Sequence, residues 1–201
     1  MRGVMSNLLV DHWSRNRSLA RDFAWVPGFS LFTAAMAQIR IPLPFTPVPL
    51  TGQTLAVLLS GAVLGSRRGI ASQALYLAEG AAGLPVFAGG AFSVLHLMGP
   101  TGGYLWSYPL AAGLVGWLVE RGASRRTSRL ILSLCLANAL ILVCGAFWLH
   151  RFYGIPYRQA SLLGFYPFLI GDTLKIILVG VLLPRILAYY DPHEAAERNL
   201  D

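Results

Sequence analysis

Residues 130–150 read LILSLCLANALILVCGAFWLH, a run without one Asp, Glu, Lys or Arg. Coiled as an α-helix at about 1.5 Å per residue it spans roughly 31 Å, the thickness of a bilayer's hydrocarbon core. A helix that is apolar all round belongs in lipid or deep inside a large soluble core. The rest of the chain chooses between the two. Of 201 residues, 55% are hydrophobic and 12% charged, and the mean hydropathy is +0.57. A soluble fold of this length has too little interior to hide that much apolar surface. The expected fold class is therefore an all-α membrane protein.

Working outward from 130–150, further apolar runs lie at about 23–39, 50–66, 69–82, 103–120 and 162–190, so the chain is expected to form six transmembrane helices. The third is short, because some fourteen residues rise only about 21 Å. The last is long enough to project from the membrane. One transmembrane domain over 23–190 is expected, flanked by a polar N-terminal segment, 1–22, and a polar tail, 191–201.

An even number of spans puts both termini on one side, and the basic residues say which. With the N-terminus inside, Arg2, Arg15, Arg17, Arg21, Arg67, Arg68, Arg121, Arg125, Arg126, Arg129, Arg185 and Arg198 are cytoplasmic. Only Arg40, Arg151 and Arg158 fall outside, with Lys175 in the membrane. Both termini are thus expected in the cytoplasm, with the chain multi-pass in the inner (cytoplasmic) membrane. The same distribution explains the net charge of +7 without nucleic acid, which needs a basic face on a soluble fold. No cleavable signal is expected, since the polar opening is not followed by a short apolar stretch with a small-residue cleavage site.

Two connections on the outer side break the helical pattern. Residues 41–49, IPLPFTPVP, hold four prolines, which fix the backbone and remove donors, so this segment must be extended. Residues 83–103 are rich in Gly yet largely apolar. Irregular backbone at membrane depth persists where protein covers it or where it lines a cavity. Two readings follow: lids over a site, or greasy surface loops.

Ionisable residues at depth narrow the search. Asp172 and Lys175 are three apart inside the last apolar run, hence on one helical face. Such residues mark substrate paths when they do not merely form an internal ion pair. Glu79, before Gly80, sits either at a pocket rim or in interfacial water. Thr51, Gln53 and Thr54 open the second helix; Thr51 is explained as a cap, which leaves the Gln53 amide to donate and accept in a pocket. On the first helix Ser30, Ala34 and Ala37, with Thr33 nearby, form a small-residue face fit either for internal packing or for a partner helix.

Several chemistries have no motif. The sequence lacks G-x-x-x-x-G-K-[ST], H-E-x-x-H and G-x-S-x-G, and its four histidines are scattered. Cys135 and Cys144, nine apart, face opposite sides of a helix, so neither a disulfide nor a metal pair follows. No enzyme, metal site or cofactor is expected.

The run 41–53, IPLPFTPVPLTGQ, with Gly61 to Gly65, the stretch 80–89 around LPVFA, residues 99–105, GPTGGYL, and Gly171-Asp172 with Lys175 together resemble the BioY family. These are the biotin-binding S components of energy-coupling-factor (ECF) transporters, and the resemblance covers about Ile41 to Lys175 in order. It implies a six-helix bundle holding biotin near the outer surface beneath the helix 1–2 and helix 3–4 loops. It also implies an ECF transmembrane coupling subunit and cytoplasmic ATPase subunits as partners. Biotin brings ureido N–H donors, a ureido carbonyl, a thioether ring and a carboxylate, so its site needs an acceptor, a donor or cation, and apolar walls.

The candidate biotin-binding residues are Asp172, Lys175, Tyr104, Gln53, Phe87, Gly102, Gly103 and Glu79, and the candidate partner-helix contact is Ser30, Ala34 and Ala37. Glu79 departs from the apolar residue the family pattern has there. The function expected is biotin capture and uptake as the substrate-binding subunit. A self-sufficient ion-coupled transporter of biotin or a related vitamin is the alternative, with Asp172, Lys175 or Glu79 carrying protons.

Overall fold

The structure, a computed structural model, describes residues 19–190. Helix α1 (Leu19–Gln38) begins inside the segment expected to be polar, because Leu19 and Ala20 are good helix formers and prolong the apolar run backwards. The rest of that segment and the tail 191–201 lie outside the described residues.

The proline segment is closed at its ends by a two-stranded antiparallel ribbon that the sequence reading did not include. Strand β1 (Arg40–Ile41) pairs with β2 (Leu50–Thr51), with Arg40 opposite Thr51 and Ile41 opposite Leu50. The ladder stops there because Pro42, Pro44, Pro47 and Pro49 have no N–H to contribute. Thr46 instead donates from Oγ1 to the Leu163 carbonyl at 2.7 Å, tying the loop to the far side of the bundle.

Helices α2 (Gln53–Leu64) and α3 (Ser66–Ala81) are short, about 18 and 24 Å at the usual rise, and meet at Gly65. The chain reverses there because Gly65 takes φ +81°, which other residues rarely adopt. The connection after α3 contains the short helix α4 (Val94–Leu97). Helix α5 (Gly102–Glu120) is the hub, packed against α2, α3 and α6 (Thr127–Tyr153). Small residues allow that closeness: a Cβ on Gly61 would lie 2.3 Å from the Ala112 carbonyl oxygen, and one on Gly116 2.2 Å from the Ser66 nitrogen. Glu120 Oε1 accepts the Ser66 N–H at 2.7 Å, so a carboxylate sits at the start of α3, where the helix dipole favours it.

The run 162–190, expected as one helix, is two. Helix α7 (Tyr157–Gly164) starts earlier, and α8 (Phe168–Tyr190) follows at an angle of 50° over its described course. Pro167 causes the break: it lacks an N–H and drives Tyr166 away from helical dihedrals. Among the described residues, α6 alone is long and apolar enough by itself to cross a membrane, and α7 with α8 qualifies as a bent pair. Exposed Leu, Phe, Trp and Ile side chains, such as Leu110, Leu132, Phe147, Ile170 and Leu174, coat the outside of the bundle.

Candidate ligand-binding site

A small cavity, partly open to solvent, lies where the proline loop and the α3–α5 connection converge on the first turns of α5. Val48 and Pro49 wall it from one loop, Ala88 and His96 from the other, and Tyr104, Leu105 and Tyr108 from α5. Thr51, Gln53 and Thr101 add polar groups. Tyr104 and Tyr108 share a face because they are one turn apart. The Tyr104 ring is seated on α6, where a Cβ at Gly145 would lie 2.1 Å from its Cε1, and its hydroxyl donates to the Gly164 carbonyl at 2.5 Å.

Gln53 is buried at the floor and held from two sides. Its Nε2 donates to the Tyr76 hydroxyl at 2.5 Å, and its Oε1 accepts from Thr51 Oγ1 at 2.9 Å. The Tyr76 hydroxyl in turn donates to the Val86 carbonyl at 3.1 Å, linking the floor to the second lid. One Gln53 N–H and one acceptor lone pair remain for a ligand.

Phe87, expected to touch ligand, stands one layer behind the wall. It is fully buried, crosses Tyr76 edge-on at 5.5 Å and stacks on His96 with ring centroids 5.2 Å apart. Gly80 makes room for it, since a Cβ there would lie 2.1 Å from Phe87 Cζ. Phe87 thus presents His96 to the cavity, and burial pushes the His96 pKa below its usual value. The ring facing the cavity is therefore neutral at physiological pH.

Asp172 and Lys175 form an ion pair beside this cavity, 2.8 Å apart. Thr54 Oγ1 lies 3.0 Å from Asp172 Oδ1 and 2.8 Å from Lys175 Nζ, which completes a triangle. Lys175 also donates to the Thr51 carbonyl at 2.7 Å. An ammonium has three N–H groups, and here each has a protein acceptor. Lys175, expected to donate to ligand, is held here by Asp172, Thr54 and the Thr51 carbonyl. Asp172 Oδ2 is the opposite case, buried and without a hydrogen-bond partner.

Three further groups of candidates are placed by their packing. Gly102 and Gly103 sit in close backbone contacts: a Cβ on Gly102 would lie 2.1 Å from the Leu97 carbonyl oxygen, and one on Gly103 2.2 Å from Trp148 Cβ. Glu79 is turned away from the cavity toward α1, where Ser30 donates to its Oε2 at 2.5 Å. The Ser30, Ala34 and Ala37 face points inward, with Ser30 and Ala37 fully buried and Ala34 against the core. The outward face of α1 carries Ala24, Gly28, Leu31 and Ala35.

Thr54, Thr101, Tyr108 and His96 belong to the site or its support but were not among the candidates. Tyr108 could have been found from its one-turn spacing to Tyr104, and Thr101 from its place in GPTGGYL. Nothing in the sequence placed His96 there. Among the described residues no three of His, Cys, Asp and Glu gather to hold a metal ion.

Comparisons with known proteins agree on the lineage. The BioY family model matches residues 5–191. A probable biotin transporter BioY of Pyrococcus horikoshii is 36% identical, over 83% of this chain and 96% of its own. Biotin transporter BioY of Thermotoga maritima is 37% identical over 78% and 91%, and that of Rhodobacter capsulatus 37% over 90% and 100%. The crystal structure of the S-component for biotin from an ECF-type ABC transporter superimposes with a TM-score of 0.79 at 26% identity, covering 85% of this chain and 93% of that one. With a family model matching nearly its whole length and a biotin S-component sharing its fold, the chain belongs to the BioY family.

Proposed function

We propose that this chain captures biotin and serves as the substrate-binding subunit of an ECF-type uptake system in the cytoplasmic membrane. The observation that carries this reading is a lidded cavity beside a buried carboxylate oxygen, Asp172 Oδ2, that has no partner of its own. Biotin's ureido N–H groups are donors of the kind such an oxygen lacks, and a charge-assisted bond there is short and strong. Gln53 offers the remaining donor and acceptor at the floor, and Val48, Leu105, Tyr104 and Tyr108 enclose the thioether ring. The relatives' names as biotin transporters support the same ligand.

In this reading α1, α2, α3, α5, α6 and the bent pair α7–α8 are the six membrane segments of one domain over 23–190. Both termini lie in the cytoplasm, and the cavity opens outward. The short α2 and α3 are tolerated because they meet at Gly65 inside the bundle, packed on α5 rather than on lipid. The exposed α1 face docks the transmembrane coupling subunit, and energy comes from the partner ATPases.

The test is the chain purified in detergent without added vitamin, its released ligand identified by mass spectrometry and its biotin affinity measured. Near-stoichiometric biotin is expected. A different vitamin, or no saturable biotin binding by the folded protein, would overturn the assignment.

A further inference from the structure

We infer that Arg40 receives the carboxylate of the captured ligand at the mouth of the cavity, and so selects the free acid over its amides and esters. The inference rests on the biotin reading and extends it to a residue that was not a candidate. Directly paired residues of an antiparallel ribbon carry their side chains on the same face. Arg40 pairs with Thr51, and Thr51 lines the cavity. The Arg40 side chain therefore leaves the ribbon on the cavity side.

Its far end reaches the second lid. A Cβ at Gly89 would lie 2.3 Å from Arg40 Nη1 and 2.6 Å from Cζ, so the guanidinium rests on that glycine. Gly89 follows Ala88, itself a wall of the cavity. Gly89 and Gly90 take φ +75° and +74°, making the tight turn that lets this backbone approach the guanidinium. Arg40 thus spans the two loops at the point where they meet.

Charge bookkeeping then singles it out. Lys175 is neutralised by Asp172, and all of its N–H groups have protein acceptors. The Glu79 carboxylate is engaged by Ser30 on α1. Arg40 makes no side-chain hydrogen bond or ion pair among the described residues. Its planar fork of donors suits a carboxylate better than any other group around the cavity. A ligand that gives its ureido end to Asp172 leaves its acid end for the mouth, and binding it there would bridge both lids.

The experiment measures Kd for biotin and for biotinamide, which differ only at the acid, on the full-length parent, Arg40→Met and Arg40→Lys. The parent is expected to prefer biotin by roughly tenfold to a hundredfold, the worth of one charge-assisted interaction. Arg40→Met should lose that preference while holding biotinamide as the parent does, which also shows that it is folded. Arg40→Lys should keep part of the preference. Equal affinity of the parent for acid and amide overturns the inference while leaving the biotin reading intact. So does an Arg40→Met variant that weakens both ligands alike, since Arg40 is then only a latch between loops. A folded parent that binds neither ligand overturns the biotin reading itself, and this inference with it.

Discussion

Lys175 Nζ lies 2.7 Å from the Thr51 carbonyl oxygen, joining α8 to the end of the proline-rich ribbon. Through that bond the ion pair in α8 and the first lid form one mechanical unit. The neighbouring Asp172 oxygen is thereby held still, with one oxygen saturated and the other free.

Asp172 and Lys175 should consequently fail in different ways. Asp172→Asn keeps the shape but replaces an anionic acceptor, and should weaken biotin binding by roughly tenfold to a hundredfold with modest change in Tm. Lys175→Met strands a buried carboxylate and frees Thr51, and should lower stability by roughly 3–5 kcal/mol. Affinity and thermal unfolding in detergent, measured for both variants and the double mutant, separate these effects. If folded Asp172→Asn binds biotin like the parent and the double mutant recovers stability, the pair is purely structural.

His96 makes the site sensitive to acid. Its folded pKa lies below the ordinary value near 6.5, so the unfolded chain takes up a proton first as pH falls. Stability from this group is complete above about pH 6.5 and is lost as pH drops from there through the folded pKa. Melting curves at pH 7.5 and 5.5 should show a drop in the parent that is smaller in His96→Gln. An equal drop in both would assign the acid sensitivity elsewhere.

The sequence exposed the helices and the lids because both rest on local rules. Apolar runs predict α5 and α6 to within a few residues, and prolines predict the extended lid. The α7–α8 break was missed although Pro167 announces it, because the apolar composition continues across Tyr166 and Pro167 and hides the change in direction. At the site, Gln53 and Tyr104, singled out from motif and chemistry, line the cavity. The surroundings of Glu79 and the glycines were not legible for one reason: what a residue faces depends on helix rotation and crossing, which composition does not carry. Gly103 looks like a ligand-cradling glycine and is a seat for Trp148. Ser30 looks like a partner contact and is the donor that satisfies Glu79.

The topology has a sharper test than the basic residues alone suggest. Ser124 lies in a loop proposed as cytoplasmic but is buried, so a cysteine there would label poorly from either side. Ser128 on the same side and Gln159 on the other are both exposed. In a background with Cys135 and Cys144 replaced, Gln159→Cys should react with an impermeant maleimide in intact cells, and Ser128→Cys only after permeabilisation. Equal labelling of the two in intact cells would sink the arrangement.

The two faces of α1 should separate assembly from binding. Ser30 and Ala37 are fully buried, so enlarging either forces α1 away from α3 and should reduce folded yield, as overpacking a core does at about 1–3 kcal/mol. Gly28 faces outward with nothing within 4 Å of an added Cβ, and Ala35 is exposed on the same side. A leucine at either position has room in the isolated chain but would keep another helix from approaching closely. Gly28→Leu and Ala35→Leu should therefore bind biotin with parental affinity yet co-purify less coupling subunit and support less uptake. Both quantities can be read on one preparation, by ligand binding and by pull-down of the co-expressed subunit. If the leucine variants assemble like the parent, the coupling subunit docks on another face; if they lose biotin binding instead, this face of α1 supports the cavity.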